Sequence, residues 1–317
     1  MIEARSIDYI PDAERHGGLA SQFTLWLSAN MQITAIVTGA LAVVLGGDVF
    51  WSLVGLLAGQ LIGGAVMALH GAQGPQLGLP QMIYSRVQFG VYGAGIPIVA
   101  VCLMYLGFSA SGSVLAGQAL AQLLDVDLRW GIVIFAALII VVTMFGYQVI
   151  HWLGRVSTAV GILAFAYMFY RLLAQHDVAA LLKIRHFSLN HFLLAMSLSA
   201  SWQIAFGPYV ADYSRYLPRA IGAGRVFAAV GLGSILGAQI AMTFGVLAAA
   251  LAGVEFEHHE VAYIVHLGST GAVAALLFFC IAFGKIMVTS LNSYGSFMSM
   301  ATLVGGSLGE YAPFPTR

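Results

Sequence analysis

Apolar residues run along this chain in long blocks separated by short polar connections. A membrane-crossing helix needs about 20 mainly apolar residues. Eight blocks reach that length, at roughly 22–46, 49–69, 92–124, 130–150, 156–175, 190–211, 225–252 and 270–304. The third and the last are longer than one crossing requires, which predicts tilt or extension beyond the bilayer. Pro75, Pro80 and nearby glycines predict a loop after the second span. Glu255, Glu257, His258, His259 and Glu260 predict another before the eighth. Residues 1–20 carry Glu3, Arg5, Asp8, Asp12, Glu14 and Arg15. They read as a polar tail and not as a secretory signal, which needs a basic start and an apolar run. Residues 21–317 then form one transmembrane domain.

Composition sharpens this picture. The 317 residues are 60% hydrophobic and 8% charged, with a mean hydropathy of +0.90, whereas a soluble domain is about 25% charged. A fold of this size cannot hide so much apolar surface in an aqueous core, so it faces lipid. The formal net charge of zero argues against a nucleic-acid partner. Cys102 and Cys280 lie in apolar stretches and provide neither a disulfide framework nor a zinc site. Basic residues in short connections set orientation. With the N-terminus inside, cytoplasmic segments hold Arg5, Arg15, Arg86, Arg155, Arg215, Arg219 and Arg225, and external loops hold Arg129, Arg171, Lys183 and Arg185. This bias predicts a multi-pass protein of the plasma or inner membrane with a cytoplasmic N-terminus. No obligate protein partner is evident.

Two spans are unlike plain lipid-crossing helices. The first contains Asn30, Gln32, Thr34 and Gly39, and the sixth contains Ser199, Ser201, Trp202, Gln203, Gly207 and Pro208. Proline lacks an amide hydrogen and obstructs a continuous helix. Opened backbone at membrane depth survives only where protein or a watery cavity satisfies it. Spans one and six are five apart, where an inverted five-plus-five repeat places two broken helices around a midplane substrate site. Taken singly, the first span also reads as polar glue between packed helices, and the sixth as a proline kink with an interfacial tryptophan.

Other polar residues are less specific. Arg86, Asp212 and Arg215 read either as a cytoplasmic charge network or as ordinary basic anchoring. His258, His259 and His266 read as solvated residues in preference to a metal site, and Tyr147, His151 and Trp152 as an interfacial belt. Lys285, inside the eighth span, is costly at that depth and marks function unless it snorkels to a membrane face. No catalytic triad, phosphate loop or zinc-protease motif appears. Polar groups cluster at the breaks and do not line several helices as in a channel. The pattern predicts a transporter, with no cofactor, over an enzyme or channel.

Three segments carry a resemblance: Met82-Ile-Tyr-Ser-Arg-Val-Gln-Phe-Gly90 followed by Gly93 and Pro97, Pro208-Tyr-Val-Ala-Asp-Tyr-Ser-Arg-Tyr-Leu-Pro218, and Thr289-Ser-Leu-Asn-Ser-Tyr294. Together they resemble the purine–cytosine permeases of the nucleobase–cation symporter family, from about residue 20 to 304. The resemblance implies an all-α polytopic membrane protein with a five-plus-five inverted-repeat fold, of which about eight of twelve helices are present. It implies a nucleobase such as cytosine or a purine as substrate, coupled to sodium or proton entry. An allantoin, hydantoin or thiamine-precursor permease is the alternative. The missing helices imply a truncated product with an incomplete second repeat, ending in polar residues Glu310–Arg317.

Site roles follow from the resemblance. Carbonyls near Ala29 and Ile33 would meet a cation, and Gln32 would face the substrate. Tyr105 and Phe108 stand where the family offers a glutamine and a tryptophan, which retains a stacking face and puts cytosine itself in question. Trp202, Gln203 and Asn292 would meet the substrate, with Thr289 and Ser290 at the cation. Lys285 falls near that cation position, where its ammonium would replace sodium. An aromatic face binds the plane of a base, worth about 1–3 kcal/mol. Side-chain amides donate and accept together and match its edge.

Overall fold

The computed structural model describes residues 7–144, 147–256 and 259–307, and every regular element among them is helical. The first predicted span is two helices, α1 (Leu19–Asn30) and α2 (Ile33–Val44), bent by 56° at their junction. Gln32, in the break, is fully extended, with φ −146° and ψ 161°. Next come α3 (Val49–Leu77), α4 (Gln81–Gly93), α5 (Gly95–Leu124), α6 (Leu128–Met144) and α7 (Tyr147–Gln175). A short α8 (Val178–Lys183) leads to α9 (Leu189–Ile204), which is followed by a 3-10 turn at Gly207–Tyr209 and by α10 (Val210–Ser214). The chain continues through α11 (Ala223–Ala252), α12 (Glu260–His266) and α13 (Gly271–Ser307).

Four of these helices, α3, α5, α11 and α13, are long and apolar enough to cross a membrane, and the bent α1–α2 pair makes a fifth. Among the described residues, Leu128–Thr143 and Ala159–Gln175 are shorter apolar stretches. α6 has 17 residues. α9 has 16 and stops where Pro208 cannot supply an amide hydrogen to continue it.

Two expected loops contain helix. The polar stretch before the last span includes α12, whose Val261, Ile264 and Val265 are buried. The segment after α3 forms α4. Pro75 lies within the last turn of α3, which ends at Gly78 in the left-handed region at φ 64°. Last-turn carbonyls of a helix have no helical donor, and Arg15 supplies one by donating from Nη1 to the Pro75 carbonyl. The polar N-terminal segment is therefore anchored. Ile10 and Arg15 are buried, and the Ile10 amide donates to the Gly78 carbonyl at 2.9 Å.

Helix contacts are made through small residues, as expected where lipid removes the usual hydrophobic drive between helices. α3 meets α9 along Gly55, Gly59 and Gly63; a Cβ on Gly59 would lie 2.1 Å from both the Met196 carbonyl oxygen and Ser199 Oγ. α11 crosses α2 at Gly245, where a Cβ would lie 1.8 Å from the Ile36 carbonyl oxygen. These approaches hold the two broken segments, α1–α2 and α9–α10, against one shared scaffold of α3 and α11. The residues His258 and Glu310–Arg317, and the side chains of Tyr147, His151 and Trp152, lie outside the described structure.

Candidate functional site

The two breaks face one small cavity. Gln32 and Thr34 reach it from the α1–α2 break, Phe108 from α5, Trp202, Ala205, Phe206 and Tyr209 from the α9 break, and Lys285, Val288 and Asn292 from α13. Four expected substrate residues, Gln32, Phe108, Trp202 and Asn292, thus border one space. Phe206 and Tyr209 were not anticipated. Their signal in the sequence is the Phe206-Gly-Pro-Tyr209 run, which places aromatic rings on both sides of the proline break.

Aromatic rings form a continuous wall. Phe108 meets Trp202 edge-on, with centroids 5.8 Å apart and planes at 85°. Trp202 then meets Phe206 at 5.9 Å, and Phe206 meets Tyr209 at 5.7 Å. The Trp202 indole N–H is committed, donating to Asn30 Oδ1 at 2.7 Å. Trp202 therefore offers a ligand ring surface and no donor. Asn292 is only 6% exposed and borders the cavity, and its amide makes no hydrogen bond among the described residues. Leaving a buried polar group unmatched costs about 1–3 kcal/mol, so this amide is matched when a ligand supplies complementary groups.

Two expected substrate residues sit elsewhere. Gln203 is fully buried and points toward α3 and α11: its Nε2 donates to Gln60 Oε1 at 2.5 Å, and its Oε1 accepts from Ser234 Oγ at 2.6 Å. The network continues from Asn30 Nδ2 to Ser234 Oγ at 2.9 Å. Consecutive positions of one helix lie about 100° apart, so Trp202 and Gln203 face different neighbours. Tyr105 is 1% exposed. It packs on Tyr209 at 5.3 Å and against Gly295, where an added Cβ would lie 2.3 Å from its hydroxyl, and it stands behind Tyr209, outside the cavity lining.

The expected cation position is organised around Lys285, which is 2% exposed and does not snorkel outward. Its Nζ donates to Gln32 Oε1 at 2.9 Å and to Thr34 Oγ1 at 3.0 Å. Gly112 on α5 makes the room: a Cβ there would lie 2.7 Å from Nζ. The Thr289 hydroxyl lies 3.6 Å from the same Cβ position. The Thr289 and Ser290 hydroxyls are both buried without a hydrogen-bond partner. Two ligand-capable oxygens thus lie one turn along α13 from the ammonium. Ile33 is buried at the start of α2. The Ala29 carbonyl already accepts from Gln32 Nε2 at 3.1 Å. A second, larger cavity lies behind the break, between α1–α2, α7 and α13, and Gln32 and Lys285 form part of its polar edge.

Away from the cavity, Asp212 and Arg215 of the α10 region are buried. Asp212 Oδ1 accepts from the Gln81 amide at 2.7 Å, placing negative charge at the positive end of α4. Arg215 Nη1 donates to the Asp8 carbonyl at 3.4 Å. Arg86 donates to the Thr302 carbonyl, tying α4 to α13.

Residues 9–308 match a family described as permeases for cytosine/purines, uracil, thiamine and allantoin. YxlA of Bacillus subtilis (strain 168), which carries a purine-cytosine permease name, is 38% identical over 304 residues, covering 95% of this chain and 65% of YxlA. The purine-cytosine permease fcyB of Emericella nidulans is 26% identical over 318 residues, covering 96% of this chain and 61% of fcyB. The chain spans just under two thirds of the length of these relatives. Among solved structures, Mhp1, a nucleobase-cation-symport-1 family transporter in a closed conformation with bromovinylhydantoin bound, matches with a TM-score of 0.78 at 20% identity, over 97% of this chain and 70% of Mhp1. That likeness establishes the all-helical, multi-pass transporter fold. With 300 of its positions matched by the family, from residue 9 to residue 308, this chain belongs to the cytosine/purine, uracil, thiamine and allantoin permeases, a family of membrane transporters and not of enzymes.

Proposed function

We propose that the chain forms the substrate-binding portion of a secondary transporter for a flat, nucleobase-like heterocycle. The observation that carries this reading is the Asn292 amide, buried and uncommitted at the edge of a cavity walled by Phe108, Trp202, Phe206 and Tyr209. Aromatic faces take the plane of a heterocycle. A free amide, joined by the second N–H of Gln32, reads the alternating donors and acceptors of its rim. The bromovinylhydantoin bound to Mhp1 contains a ring of the same kind, which favours a hydantoin or allantoin as the second reading.

Coupling belongs to the same proposal. The Lys285 ammonium stands in for a sodium ion beside Thr289 and Ser290, so that protons and not sodium drive uptake. A protein of the inner or plasma membrane with a cytoplasmic N-terminus fits the basic residues of its connections. The test is equilibrium binding of radiolabelled cytosine, uracil, hypoxanthine and hydantoin to the purified 317-residue chain in detergent. Saturable binding of at least one ring, lost in Trp202→Ala, is expected. Binding of none of them sinks the proposal.

A further inference from the structure

Lys285 poses a charge problem that the neutral-base reading leaves unsolved. Its ammonium has three N–H donors. Two are taken by Gln32 Oε1 and Thr34 Oγ1. Both acceptors are neutral, and among the described residues no carboxylate pairs with it. An isolated charge removed from water is expensive, and a buried amine either gives up its proton or gains a nearby opposite charge with good hydrogen-bond geometry. Lys285 lines the aromatic-walled cavity together with Asn292. The site also holds two buried hydroxyls without partners, those of Thr289 and Ser290. Among the described residues the cavity lining offers the Lys285 amine and the Asn292 amide and no carboxylate.

We infer that the preferred substrate is an acidic heterocycle bound as its anion, with the negative charge on a deprotonated ring nitrogen or a ring carboxylate placed against Lys285. This inference rests on the permease reading and narrows it. Asn292 reads the neutral part of the rim, the aromatic wall takes the ring plane, and the third N–H of Lys285 donates to the charged edge. The ammonium and the anion then form a pair with no net charge in the low-dielectric interior, where attraction between charges is strong. A neutral base of the same shape leaves the ammonium uncompensated.

The experiment compares anionic rings with neutral rings of the same skeleton. Binding of radiolabelled 6-carboxyuracil is measured against uracil, and of urate against hypoxanthine, on the full 317-residue chain in detergent at neutral pH. One or both anions should bind about tenfold or more tighter than the neutral counterpart, a difference of about 1.4 kcal/mol. Preference for 6-carboxyuracil alone assigns the charge to a carboxylate, and for urate alone to a ring nitrogen. In Lys285→Met and Lys285→Gln the ratio of anion to neutral binding should collapse toward one. The wild-type ranking stands by itself if either variant fails to fold. Tighter binding of uracil and hypoxanthine than of their anionic partners overturns the inference and leaves the permease reading intact. An anion preference that survives in a folded Lys285 variant also overturns it. Binding of none of the four rings overturns the inference, and the permease reading falls with it only if cytosine and hydantoin also fail to bind.

Discussion

The Asn30 side chain offers a sharp test of how the broken helix holds the aromatic wall. It is fully buried, accepts from the Trp202 indole at 2.7 Å, and donates to Ser234 Oγ at 2.9 Å and to the Trp26 carbonyl at 2.7 Å. Asn30→Ala removes all three bonds and leaves the Trp202 N–H, in a residue 5% exposed, without an acceptor. Each lost bond is worth about 0.5–1.5 kcal/mol net, and an orphaned buried donor costs about 1–3 kcal/mol. Helix–helix hydrogen bonds in membranes are often weaker, averaging about 0.6 kcal/mol with a maximum near 1.7. We therefore expect Asn30→Ala to cost about 2–3 kcal/mol in all. Trp202→Phe removes the donor instead of the acceptor, so the double variant should cost less than the sum of the two. A double-mutant cycle, read by circular dichroism during unfolding in mixed micelles, should give a coupling of about 1–1.7 kcal/mol, since this bond is short and buried. Additivity within about 0.5 kcal/mol would refute the claim that Asn30 positions Trp202.

Further expectations concern the cavity and the packing around it. Phe108→Ala should weaken binding of the preferred ring by about 1–3 kcal/mol, measured by isothermal titration, and an unchanged affinity would remove Phe108 from the stacking wall. Asn292→Leu should cost about tenfold or more in affinity and flatten discrimination among rings with different donor patterns; equal discrimination before and after would contradict its assigned role. Uptake in cells should follow a proton gradient and ignore replacement of sodium by choline, whereas strict sodium dependence would reject Lys285 as a stand-in for the ion. Gly245→Ala should destabilise the chain by about 1–3 kcal/mol through overpacking, because its Cβ would meet the Ile36 carbonyl oxygen at 1.8 Å; a wild-type unfolding midpoint would show that α2 and α11 yield at this crossing.

Trp202 and Gln203 show where reading from residue types ends. Both are polar-capable residues beside a helix break, and the sequence gives no sign that they face different partners. The helical turn of about 100° per residue sends Trp202 to the cavity and Gln203 to Gln60 and Ser234. Asn30 and Gln32 separate in the same way. Asn30 ties α1 to α9 and α11, whereas Gln32, in extended backbone, reaches the cavity and Lys285. Polar glue describes Asn30, whereas Gln32 borders the cavity, where its binding role is a proposal. Tyr105 was matched to a site position by its place along α5, but its neighbours Tyr209 and Gly295 enclose it.

The sequence by itself determined the solvent and the class of fold. Apolar blocks of spanning length with so few charges leave lipid as the only favourable surroundings, and a proline in an apolar run marks interrupted helix wherever it packs. Those are local properties, written into each segment's own composition. Only the tertiary structure decided which polar groups meet. The bond from Lys285 to Gln32 joins residues 253 positions apart, and the space for its ammonium is made by Gly112 on a third helix. Whether a buried amide is satisfied or free depends on such distant neighbours. Asn30 and Asn292 are the same residue type in similar apolar surroundings, yet packing commits one to Trp202 and Ser234 and leaves the other open to a ligand.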